Sequence, residues 1–167
     1  MLKKLRTSNS FSLSQGFTLV ELLVVITIIG VLATLVLLQL GTARAKARDA
    51  KRISDVSQLR TSIELYFDDN GGVYPGALTT TNLSPYFSAP TLPVDPVTGA
   101  LYFYAVNTGP ARYHLFTELE RRNAAALNGD TDINSTGWTG NALNASVGTT
   151  EACATGVNDC IYDVGQQ

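Results

Sequence analysis

Glu21 is the one charged residue between Phe17 and Leu40, in the stretch FTLVELLVVITIIGVLATLVLLQL. A carboxylate inside a membrane helix is costly, less so toward the helix end, so this placement demands a partner. The start of a helix favours a negative side chain. A cation one turn away, at i and i+4, would serve. A cation of another molecule would serve as well. Four residues of helix are about 6 Å of rise, and a cross-chain pair would fix a stagger of that order between parallel helices.

A second group of oxygen-bearing side chains lies in DTDINSTG, residues 130–137, where Asp130, Asp132 and Asn134 alternate. Alternating oxygens wrap hard cations such as calcium. The EF-hand pattern fails, because Ser135 and Asn141 occupy its glycine and final glutamate positions, and a plain Asx-rich turn is the competing reading. The two cysteines, Cys153 and Cys160, are spaced for a small disulfide loop in an oxidising compartment. Such a loop contributes roughly 2.5 kcal/mol on the chain-entropy model. The single histidine, His114, lies between Tyr113 and Leu115 in an apolar alternation and reads as structural. Any nucleophile–histidine–acid set would have to use it. Neither GxGxxG nor GxxxxGK[ST] occurs. The reading is therefore not an enzyme, with no cofactor required and calcium as the one candidate ion.

The elements that must carry these residues follow from hydropathy and spacing. The 24 residues from Phe17 to Leu40 would make a helix of roughly 36 Å, enough to cross a hydrocarbon core of about 30 Å with some tilt. Beyond it, Ile53, Val56, Leu59, Ile63 and Phe67 form a helical stripe. The stretch DDNGGVYP ends the pattern, with Gly71 or Gly72 as the left-handed cap and Pro75 preventing a restart. The spacing predicts one helix from about Phe17 to about Asp69. After it, LYFYAV (101–106) and RYHLFTEL (112–119) read as paired strands around NTGPA, with CIYDV (160–164) as a third. Tyr102, Tyr104 and Tyr113 are expected between strands and helix.

Charge is unevenly distributed. Lys3, Lys4 and Arg6 precede the apolar run; Arg44, Lys46, Arg48, Lys51 and Arg52 follow it; from Glu64 onward eleven acids face three arginines. An acidic head argues against nucleic-acid binding by the head. The basic collar suits anionic lipid headgroups or the acidic heads of neighbouring copies, with a solvated helix face as the plain alternative. Three cations before the span and five after it would put the head in the cytoplasm.

QGFTLVELLVV, residues 15–25, resembles the processing site of type IV pilins and of the pseudopilins of type II secretion. The stretch from Ala43 to Pro75 is similar to the helix-to-loop passage of the major pseudopilin. The resemblance implies that a prepilin peptidase cuts after Gly16 and methylates the new amine on Phe17. It implies that Phe17 and Glu21 then act in assembly, between copies. It also places the head outside the cytoplasm, against the charge count. The expected architecture is α+β and pilin-like: a leader over residues 1–16, a membrane or filament-core helix over 17–40, its amphipathic continuation over 41–70, and a small antiparallel-sheet head over 71–167. The expected partners are further copies of the chain, the peptidase, an inner-membrane assembly platform and the membrane itself. The subunit would begin as a single-pass protein of the cytoplasmic membrane and end in an extracellular pilus or a periplasmic pseudopilus. The passage before Pro75 favours the pseudopilin, whereas a terminal cysteine loop is more like a pilin. Major pseudopilins carry calcium in this part of the head, though the motif around their site is not visible here. Many members have a proline partway along the apolar helix; this chain has none between Phe17 and Pro75. An anchored adhesin that never polymerises is the alternative of another class.

Overall fold

The computed structural model describes residues 16–87, 89–109, 111–121, 124–127, 130–143 and 160–166. The chain divides into two compact units, Met1–Leu40 and Gly41–Gln167. Helix α1, Leu19–Asp69, contributes to both. Its apolar part is long and apolar enough to cross a membrane. Every residue of α1 up to Leu40 is exposed; Leu38, for instance, keeps 74% of its surface. Among the described residues of this unit, nothing covers those side chains.

In the second unit α1 presents Val56, Leu59 and Ile63, which are fully buried, as the stripe predicts. Ile53 and Phe67 pack at its ends, partly buried. The helix stops as expected. Gly71 and Gly72 both take positive φ, +67° and +81°, and the Gly72 N–H donates back to the Phe67 carbonyl at 3.0 Å. That left-handed turn is open to glycine without the clash a Cβ would suffer. A short helix α2, Thr80–Leu83, and a 3-10 turn, Ser84–Tyr86, follow.

The sheet has strands β1 (Phe103–Thr108), β2 (Ala111–Glu118), β3 (Thr139–Gly140) and β4 (Ile161–Gly165), in the order β3-β1-β2-β4. All three pairings are antiparallel. A one-turn helix, α3 (Ala124–Leu127), lies between β2 and β3. The strand edges are corrected by one or two residues: β1 begins at Phe103 rather than at 101, and Leu101 instead bridges to Val94. The two-residue β3 and the helices α2 and α3 carry too few residues for a periodic signal.

Strand β2 is buried at every position from Tyr113 to Thr117, although half-buried strands alternate. The reason is that both faces are covered. Tyr113 and Leu115 join Val56, Leu59, Ile63 and Tyr74 in the main core. His114 belongs to the other face, where Ser135 and Asp163 of later segments lie against it. Gly165 pairs with His114, and a Cβ there would meet Ile133 Cδ1 at 2.7 Å and the Tyr113 carbonyl oxygen. Only glycine lets that loop come so close.

Polar groups also tie α1 to the sheet. Tyr113 and Tyr74 donate their hydroxyls to Glu64, at 2.8 and 3.3 Å, and Tyr102 donates to Asp55 at 2.7 Å. Burial, followed by the Glu64 carboxylate, pushes the Tyr74 hydroxyl up to about 12. Asp49 accepts from the backbone N–H groups of Glu120 and Arg121 at 2.9 and 3.1 Å. The Arg52 guanidinium is buried and bonds Asp49, Asp95 and Glu120 at 2.8, 2.5 and 2.9 Å. Arg48 reaches both oxygens of Glu120. A buried cation is tolerated only when its donors are matched in this way.

The Arg48 guanidinium, joined by Arg52 and opposed by burial, holds the Glu120 carboxyl at about 2, below its unfolded value of 4.5. A depressed folded value stabilises the fold above the unfolded value and ceases to do so as pH falls through the folded one. The melting temperature should therefore fall between pH 4.5 and about 2. Glu120→Gln should flatten that part of the profile, as followed by circular dichroism; an equal slope in the variant would assign the loss to other carboxylates.

Candidate functional site

Gly16, Phe17 and Thr18 precede α1 in exposed, non-helical backbone, and 83% of the Phe17 surface is accessible. Glu21 is held by a reciprocal pair of bonds. Its Oε2 accepts from the Thr18 N–H at 2.9 Å and from the Thr18 hydroxyl at 2.7 Å. Its own N–H donates to Thr18 Oγ1 at 3.2 Å. The Leu22 N–H then donates to the Thr18 carbonyl at 3.2 Å. This is a capping box, with threonine at the N-cap and glutamate three residues on. The within-chain partner of Glu21 is therefore Thr18, a relation that reading for opposite charge overlooked. The T-x-x-E spacing ahead of an apolar run was the signal that could have found it.

The acidic loop is built differently from the sequence expectation. Asp130 and Asp132 come together with Asp163 of β4, one carboxylate oxygen of each lying within 4.8 Å of the others. Asn134 spends its side-chain oxygen on the Thr136 N–H at 3.1 Å, as in the plain Asx turn. Asp132 sits at φ +49°, which Asp tolerates better than most residues. Asp163 is fully buried. Its Oδ1 accepts from the N–H groups of Thr131 and Asp132 at 3.3 and 3.1 Å, and its Oδ2 from that of Ile133 at 2.8 Å. Burial, and then the charges of Asp163 and Asp132, push the Asp130 carboxyl up to about 7. An all-oxygen, anion-rich cluster with this crowding fits a hard divalent cation. Asp163 was missed because it lies about thirty residues along the chain from the loop, and only the fold brings it against residues 131–133.

His114 stands beneath this loop. Ser135 Oγ is 2.8 Å from Nδ1, and Asp163 Oδ2 is 3.0 Å from Nε2. The residue types are those of a hydrolase triad, but all three are wholly buried. Ser135 Oγ is engaged by Leu143, donating to its carbonyl at 2.9 Å and accepting from its N–H at 2.8 Å. No face of this set is open to a substrate. Cys160 is buried and disulfide-bonded; Cys153 lies outside the described residues.

Comparison with known proteins adds to this geometry. The family described as the prokaryotic N-terminal methylation motif matches residues 11–37. The chain is 44% identical to the type II secretion system core protein G of Escherichia coli (strain K12) over 79 residues, 47% of this chain and 52% of that protein. It is 40% identical to the protein of the same name from Dickeya chrysanthemi over 82 residues, 49% of this chain and 52% of that one. The chain is similar, over about half its length, to type II secretion pseudopilins. A pilin relative points the same way: the type IV major fimbrial protein FimA of Dichelobacter nodosus is 42% identical over 53 residues, 32% of this chain and 34% of that protein. The chain spans about half the length of the core protein G relatives it matches. No solved structure matches it significantly.

Thr18→Ala removes the N-cap while leaving the charge of Glu21 in place. Losing such a cap costs about 1 kcal/mol of local stability. The Glu21 amide should therefore exchange several-fold faster in micelles, whereas unchanged protection would mean that the box does not hold the helix start.

Proposed function

We propose that the chain is a subunit of a pilin-like filament, made as a single-pass membrane precursor. In this reading a prepilin peptidase cleaves it after Gly16 and methylates it on Phe17. The observation that carries the reading is the uncovered apolar stretch of α1 with one carboxylate at its start. Bare apolar surface of that extent is stable in lipid, or against the same surface of other copies. The exposed backbone at 16–18 suits a protease, which requires extended chain. Cleavage turns the Phe17 amide into an ammonium beside Glu21. The carboxylate then exchanges a hydroxyl and an N–H for a full charge, supplied by its own chain or by an incoming copy docking at the assembly platform.

Between the two kinds of filament, the core protein G similarity favours the periplasmic pseudopilus of a secretion system. It runs well beyond the methylation motif, over 79 residues. The head lies on the far side of the cytoplasmic membrane in either case. A Cys153–Cys160 bridge supports that side, since disulfides persist in oxidising compartments. The head also carries a calcium site in this reading, formed by Asp130 and Asp132 over the buried charge of Asp163, with Asn134 outside the set. Calcium supplies there the positive charge that three neighbouring carboxylates lack.

The intact mass of the protein purified from cells should correspond to loss of residues 1–16, gain of one methyl group and loss of two hydrogens. A chain that retains Met1 would overturn the reading. Glu21→Ala should still be cleaved but enter filaments far more slowly, and assembly at the normal rate would remove the cross-chain role. In detergent, the processed chain should melt higher in calcium than in chelator, by about 2.7 kcal/mol at a hundred times the dissociation constant. Asp132→Asn should shrink that difference, and identical melting in both buffers would exclude the ion.

A further inference from the structure

Buried polar atoms are nearly always hydrogen-bonded, and His114 Nε2 is an exception. It is fully buried, 3.0 Å from Asp163 Oδ2, yet out of line for a hydrogen bond. Its position follows from strand register. His114 pairs with Gly165 and Phe116 with Asp163, so the imidazole and the carboxylate are diagonal neighbours on one face of the sheet. The opposite ring nitrogen is pinned by Ser135 Oγ, itself locked between the N–H and C=O of Leu143. The ring therefore has one aim. On the far side of Asp163, the same carboxylate gathers the N–H groups of Thr131, Asp132 and Ile133. A carboxylate has about four lone-pair sites. With three engaged by the loop backbone, Asp163 spends most of its acceptor capacity on holding the loop that presents Asp130 and Asp132.

We propose that His114 is a positioning residue for the cation loop, acting through Asp163 and never touching the ion. The proposal rests on the calcium reading of the acidic loop. Groups behind metal ligands fix ligand orientation, and their loss typically costs about 10–100-fold in metal affinity. Here the brace runs from β2, through the imidazole and the Asp163 carboxylate, into the backbone that carries the half-buried Asp130 and the exposed Asp132. A small turn of that carboxylate would bring Nε2 into line, so drawing the loop onto an ion moves the ring's partner.

The test uses the processed full chain in detergent micelles, labelled with nitrogen-15, and titrated with calcium chloride. The chain has a single histidine, so the ring signals are unambiguous. The expected result is that both His114 ring nitrogens shift with the same midpoint as the amides of Thr131, Asp132 and Ile133. If the loop amides saturate while the ring signals stay fixed, His114 is structural only and the proposal fails alone. If no amide moves, the calcium reading fails and takes the proposal with it. Calcium affinity gives the second measure. His114→Leu should lose about tenfold or more. His114→Gln, which keeps a donor near Asp163, should stay much closer to the wild type. Equal affinity in the wild type and both variants would overturn the brace.

Discussion

The structure depends first on a helix that cannot be left in water. Residues 19–40 of α1 are mostly apolar, with Glu21 as their one charge, and all of them are exposed. Every other property of that unit follows from how the surface and the carboxylate are satisfied in turn. In lipid the apolar side chains are at rest, and the Glu21 carboxylate is closed onto the uncharged donors of Thr18. A membrane precursor can thus carry the acid without a counter-ion. Under the proposed cleavage, an ammonium at residue 17 would offer the box a stronger partner, because a full charge outcompetes a hydroxyl in a medium of low dielectric constant. In that proposal the same threonine and glutamate would serve two stages, first as a cap and later as an open acceptor.

The head solves a different problem. A single sheet of four strands, one of them only two residues long, buries little by itself. It gains a core from the lower part of α1 on one face and from the 130–143 loop on the other. Polar anchors accompany both contacts. Asp49, Arg52, Asp55 and Glu64 project from the buried face of the helix and each meets a partner on the sheet or its loops. Asp163 does the corresponding work on the second face, gathering the backbone of residues 131–133. Breaking such anchors leaves a buried charge unpaired, which is far worse than losing a surface pair.

Much of this was legible before any fold was known. The stripe Val56–Leu59–Ile63, the glycine stop at residues 71 and 72, the apolar span and the β1–β2 hairpin all rest on local chemistry. The N-terminal methylation motif was equally plain, because it is a contiguous word. What escaped were relations between distant residues. Arg52 reads as one member of a basic collar, yet it is buried among three carboxylates. His114 reads as a core residue and is one, but its two partners come from positions 135 and 163. Asn134 fitted the alternating pattern, and its side-chain oxygen accepts from the Thr136 N–H; a third acid, Asp163, joins Asp130 and Asp132 from β4.

The amino-acid sequence by itself determined the long helix, where it becomes amphipathic, where it stops, and the presence of an acid at its apolar start. Those features depend on hydropathy, side-chain volume and backbone freedom within a few residues of one another. Only the tertiary structure decided which acids converge, which cation is buried, and that His114 lies behind Asp163. These are outcomes of strand register, which brings residue 163 beside residue 114, and a register depends on the whole set of pairings rather than on any single stretch of chain.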